Sequence, residues 1–251
     1  MARKFLIISV MAWVVGPSLW AQPGGIRLLG TQAGRPGKVV KGAPYSADVT
    51  NETTRMLADG NTIHQITSGR VYRDSEGRTR QESALQALSS AVAGRSTPRL
   101  AFIYDPAASV SYVLDLVKHT ATRTVWPQDT AASATNPPQR QLRRDPANIK
   151  RESLGTQLFS GLMADVTRTT LTIPIGQIGN SQPISVVTER WRSPDLQVVV
   201  YSKRIDPREG ETVFQLTNIN RSEPPAALFT APSDFSISDV QPRTRGSAGP
   251  R

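Results

Sequence analysis

The sequence predicts a mainly β fold: a strongly curved antiparallel sheet, or half-open barrel, built from β-meanders with one or two short helices. Three observations carry that expectation. Runs rich in Val, Ile, Thr, Tyr and Phe recur along the chain, separated by turns built on Asp, Pro, Gly and Asn. In the mature protein a helical period shows only in Ser83–Gly94, where Leu85, Leu88 and Val92 stand at i, i+3 and i+7, with an irregular loop as the alternative. The 251 residues include no Cys, so no disulfide can stand in for a packed core.

The chain divides as follows. Residues 1–21 read as a signal peptide: Arg3 and Lys4 supply the positive start, Phe5–Val15 the apolar run, and Gly16-Pro17 breaks it before cleavage after Ala21. That run is shorter than the about 20 residues a membrane-spanning helix needs; an uncleaved N-terminal anchor is the alternative. Residues 22–38 form a Gly-rich basic leader with no hydrophobic period. Residues 39–237 are expected to form a single β domain. Residues 238–251 make a disordered basic tail.

Within the domain, Tyr45–Leu57 and Thr62–Tyr72 flank Ala58-Asp59-Gly60-Asn61, a strong hairpin signal. Asp74-Ser75-Glu76-Gly77 turns the chain into Arg78–Glu82. Leu100–Tyr104 and Ser109–Leu116 pair across Asp105-Pro106-Ala107-Ala108, and Thr120–Trp126 continues the meander. Residues 127–148 hold four prolines and the basic cluster Arg140, Arg143 and Arg144. They cannot bury enough apolar surface to order themselves and read as a disordered loop, with an interdomain linker as the alternative. Ile149–Gln157 and Leu162–Pro174 follow.

The organising stretch is Pro183–Asn220. Strands Ile184–Arg192, Leu196–Ile205 and Thr212–Asn218 are joined by Ser193-Pro194-Asp195 and by Asp206-Pro207-Arg208-Glu209-Gly210. The middle strand is apolar on both sides, which predicts a position inside a covered sheet. Leu228-Phe229 and Pro232–Ile237 close the domain.

Catalytic chemistry finds little footing. Without Cys, a nucleophile would be a Ser or Thr with a base, and the only imidazoles are His64 and His119, both read as strand residues beside no G-x-S-x-G elbow. Two isolated His give no zinc spacing, no D-x-D-x-D-G calcium loop occurs, and no metal or cofactor is expected. Asp74, Glu76, Asp206 and Glu209 lie at strand ends and could imitate a glycosidase pair, but turn capping accounts for them. Gly176 and Gly179 precede no helix and make no phosphate loop. The candidate ligand-binding residues are Trp191, Tyr201 and Phe214, aromatic side chains on strands that could line an apolar cavity; core packing is the plainer use of the same rings. The net charge of +10 suits anionic headgroups or acidic polysaccharide, or is simply a solvated basic surface. Nucleic acid is not expected, because no basic helix or aromatic-interleaved motif occurs.

Gly42-Ala43-Pro44-Tyr45-Ser46, Val71–Arg80 and Ser193-Pro194-Asp195-Leu196 together resemble a group of exported bacterial proteins. Successive meanders ending in Leu228–Phe235 resemble, more distantly, the periplasmic lipoprotein-carrier superfamily. That resemblance implies a half-open antiparallel barrel with helices plugging an apolar cavity. Related domains in periplasmic stress regulators use the same shape to sense lipoproteins and restrain a membrane anti-sigma factor. Two readings of function follow. One is a non-enzymatic envelope protein, periplasmic or extracellular, holding a lipid, acyl chain or acylated peptide in the concave face, with peripheral membrane contact. The other is an interaction or regulatory module that binds a membrane protein through the sheet surface.

Overall fold

Long hairpins dominate because each alternates side chains across the pleat and ends in a turn whose residues cap their own backbone. β1 (Tyr45–Met56) and β2 (Thr62–Arg73) pair along their full length around Asp59-Gly60, with Asp59 accepting from the Asn61 N–H. β3 (Thr79–Ala84), β4 (Arg99–Asp105), β5 (Val110–Asp115) and β6 (Thr120–Val125) continue the meander. β7 (Ile149–Phe159), β8 (Leu162–Ile173), β9 (Ile184–Ser193), β10 (Val198–Asp206) and β11 (Gly210–Asn220) form a second one. β12 (Ser236–Val240) ends the described chain. The structure, a computed structural model, describes residues 39–84, 99–126 and 146–240. The expected signal peptide, leader, most of the 83–94 helix and most of the 127–148 loop lie outside these residues, as does the tail beyond Val240.

All twelve strands share one sheet in the order β12-β6-β5-β4-β3-β2-β1-β11-β10-β9-β8-β7, and it does not close into a barrel. The two meanders meet at β1–β11, where Val49 lies opposite Leu216 and Asn51 opposite Phe214. The sheet is mixed at one place: β12 runs parallel to β6. A parallel neighbour requires a crossover, and the segment after Asn220 supplies it by traversing the sheet before β12 starts. β12 also takes in Ser238–Val240, which the sequence reading assigned to the tail. Short 3-10 turns occupy Pro146–Asn148 and Ala226–Phe229.

Burial switches face along the sheet. Tyr45, Ala47, Val49, Leu196, Val200, Phe214, Leu216, Leu162 and Ala164 make one buried cluster. Ala101, Ile103, Leu114 and Ala121 make another, capped by Phe229. Neighbouring residues of β2 face opposite ways: Val71 packs on the first cluster and Tyr72 on the second. The segment bearing Phe229 is fastened by Arg80, whose Nη1 donates to the Leu228 carbonyl at 3.0 Å. The Arg78 guanidinium lies 5.3 Å from the Phe229 ring centre. The first cluster is tied by Arg73, which donates to the carbonyls of Ala43 and Leu196 and lies over the Tyr45 ring. Val200 is fully buried in β10, while Val199 and Tyr201 are half-buried.

Candidate ligand groove

The two N-terminal hairpins place charges in register. Asp48 and Arg70 are equidistant from the Asp59-Gly60 turn and pair directly across β1 and β2; Arg70 in turn lies opposite Glu82 on β3. Side chains alternate on strands, so this row projects on the face opposite Val49 and Val71. Thr217 of β11 extends the row on one side. Thr50, paired with Ser68, forms a second polar row beside it. Together with Arg99, Leu100 and Leu116 these residues line an open groove of about 530 Å³.

The groove's charges are largely satisfied within the chain. Arg70 Nε donates to Asp48 at 3.0 Å, and Asn218 Nδ2 donates to the other Asp48 oxygen at 2.8 Å. The Asn218 bond, with burial opposing and Arg70 adding to it, holds the Asp48 carboxyl below its ordinary range. Glu82 accepts from Arg80 Nε at 2.7 Å. Arg99 is the cation here with no ion pair among the described residues. The lining contains no His, Lys, Tyr or Cys. Its hydroxyls have no imidazole beside them, and its two carboxylates, Asp48 and Glu82, are each held by an arginine.

The expected ligand residues sit elsewhere. Trp191 and Tyr201 pair across β9 and β10 with ring centres 5.6 Å apart, and Phe159 closes the set at 5.8 Å from Trp191 and 5.5 Å from Tyr201. All three are half-buried. Trp191 Nε1 donates to Glu189 at 2.9 Å; this bond, with Arg168 adding to it, keeps the Glu189 carboxyl below its ordinary range. A register shift in β10 between Val199 and Tyr201 turns Trp191 onto the cluster that contains Val200 and Phe214. Phe214 itself is buried in that cluster and pairs with Ser202, one ladder step from Tyr201.

The turn aspartates are backbone caps, whereas Glu76 and Glu209 lie 3.7 Å from Arg78 and Arg204. Asp74 accepts from the Glu76 and Arg78 N–H groups and from Arg78 Nε; Asp206 accepts from the Arg208 N–H and from the Arg204 and Arg208 guanidiniums. His64 is held by Glu52 at 2.6 Å. His119 is not a strand residue: it sits in the β5–β6 turn at φ +52°, bonded to Asp234 at 2.7 Å and stacked on Phe235. Among the described residues no group of three or more His, Cys, Asp or Glu could hold a metal ion. The groove was overlooked in the sequence, although opposite charges equally spaced from two turns marked Asp48–Arg70 and Arg70–Glu82. Thr217 and Leu116 carry no such mark, since pairings between distant strands bring them there.

No family model matches the chain, and no curated protein does. Among solved structures it is similar to an uncharacterized conserved protein from Thermus thermophilus, at 10% identity and a TM-score of 0.42, covering 79% of this chain and 91% of that one. It is similar to a chain of the MucA/MucB complex of Pseudomonas aeruginosa at 12% and 0.41, covering 80% and 59%; the chain thus spans about three fifths of that protein's length. A LolA-superfamily protein from Nitrosomonas europaea is similar at 8% and 0.31, covering 75% and 90%. The resemblance to the lipoprotein-carrier superfamily is therefore a distant one, and it assigns no residue a role.

Proposed function

We propose that the protein is an exported, non-catalytic binding protein of the cell envelope, and that it engages an extended segment of a protein partner in the groove between β11 and β4. One observation carries this: the groove is open and lined by hydroxyls, paired charges, Arg99 with no ion pair among the described residues, and two leucines, a surface suited to polar backbone and mixed side chains. An acyl chain would be served poorly by such a lining, since every buried polar group needs a partner. Export is supported by Arg3-Lys4, the apolar run that follows and Ala21.

A second reading has its own support. The rings of Trp191 and Tyr201 stay half-exposed beside the cluster of Phe214, and an acyl chain could lie against them. Photo-crosslinking separates the two. A benzophenone side chain at Ser68 or Thr217 should capture a protein from the native envelope, whereas the same probe at Thr188 should not. Native mass spectrometry of the purified protein supplies the counter-test. Bound lipid, together with silent probes at Ser68 and Thr217, would overturn the groove and favour the aromatic site.

A further inference from the structure

We propose that the outward side of β7–β9 around the β7–β8 hairpin, up to where that side is covered at Val186 and Ile173, is a docking surface for an anionic lipid bilayer, independent of the groove. β8 alternates strictly at its start: Leu162, Ala164 and Val166 are buried, and Met163, Asp165 and Thr167 point out. Met163 lies directly opposite Leu158 at the tip of the β7–β8 hairpin, and the two are 52% and 68% exposed. Behind this apolar pair, on the same side, the register sets Arg192 opposite Asp165, Arg190 opposite Thr167 and Arg151 opposite Thr169.

Charge is segregated between the two sides. On the inward side, Lys150 is paired with Glu152 at 2.8 Å, and Arg168 with Glu189 at 3.1 Å. On the outward side, Arg151 and Arg190 have no ion pair among the described residues. Among the described residues Arg192 donates only to the Gln197 carbonyl, at 3.4 Å. The outward side thus joins two large exposed apolar side chains to three arginines against one carboxylate, Asp165. Water hydrates the guanidiniums but leaves the two apolar side chains without a favourable partner. A surface that is anionic outside and hydrocarbon beneath matches both: the guanidiniums reach lipid phosphates while Leu158 and Met163 enter the headgroup boundary. A sugar polymer or free phosphate would leave the apolar pair unused.

The test is vesicle co-sedimentation of the protein as its own host produces it, using phosphatidylcholine vesicles with and without phosphatidylglycerol. Binding should require phosphatidylglycerol and weaken with salt. Replacing both Arg151→Gln and Arg190→Gln should lower the partition coefficient roughly 25-fold, as expected for losing two surface cations. Leu158→Ser with Met163→Ser should also lower it. Lys203→Gln, on the inward side and paired with Glu211, should change it less than about twofold. Every variant should melt like the parent, since each altered side chain is at least partly exposed. Equal binding to neutral vesicles, or arginine variants that bind like the parent, would overturn the proposal. So would retention on soluble polyglutamate without vesicle binding, which would assign the surface to an acidic protein partner.

Discussion

Arg73 is a buried cation whose partners are carbonyls: it forks onto Ala43 at 2.9 and 2.7 Å and reaches Leu196 at 2.6 Å. Burial pushes its guanidinium below the ordinary arginine value, with the neighbouring Tyr45 opposing. Replacement by Met would strand those carbonyls in the first cluster at a cost of about 2–4 kcal/mol. Lys should not restore it, because an ammonium cannot fork in the guanidinium plane. Urea unfolding midpoints of both variants check this, and a Lys variant equal to the parent would refute the fork. Asp206 makes the complementary case. Hydrogen bonds from Arg208 lead the causes that hold its carboxyl below the ordinary value of 3.8. A depressed folded value contributes stability above the unfolded pKa and loses it as pH falls through the folded one. The stability gap between parent and Asp206→Asn should therefore be full at neutral pH and shrink below about pH 4, as read from melting curves across that range.

Turns and straps set where these strands meet. Gly210 closes the β10–β11 turn at φ +95°, and a Cβ there would stand 2.2 Å from the Thr54 carbonyl oxygen. Gly176 has a positive φ as well, +77°, but open space around it. Gly210→Ala should cost well over 2 kcal/mol because backbone must move, whereas Gly176→Ala should cost only about 1 kcal/mol of strain. Thermal melts of the two would decide it; equal losses would deny the close approach to β1. The strap after Asn220 is anchored by Phe229, 1% exposed. Phe229→Ala should cost about 3–5 kcal/mol by emptying the second cluster, a loss that a chemical denaturation curve would measure.

The sheet's order explains how far the sequence could be read. Strand positions were legible because alternation and turn chemistry are local: Leu162–Thr167 alternates visibly, and Asp59-Gly60 and Asp206–Gly210 mark their hairpins. The β1–β11 junction was not legible, since Asp48 and Thr217 carry no mark of one another and meet through packing alone. The parallel placement of β12 was hidden for the same reason, and with it the Arg123–Asp239 fork. Of the candidate site, the aromatic contact of Trp191 with Tyr201 follows from their hairpin. The groove needed strands from both meanders. This order also ranks local stability. Every residue of β12 is exposed, and β12 and β7 are edge strands, whereas β1 has neighbours on both sides. Amide exchange should be fastest in Ser236–Val240 and slowest around Val49 and Leu216. Uniform protection across the sheet would contradict that gradient.

A chain is made from its N-terminus, and the β1–β11 junction gives that direction a cost in time. Asp48 and its hydrogen-bonded partner Asn218 are 170 positions apart. The first meander can zip up by short-range closures as it appears, but the outer rim of β1 waits, unpaired and sticky, until nearly all of the chain has been delivered. Such long loop closures are slow, and a waiting strand rim recruits neighbours. The protein is thus most vulnerable to aggregation until β11 has emerged, at the ribosome or across the membrane, and a holding chaperone would act on β1 before β11 arrives.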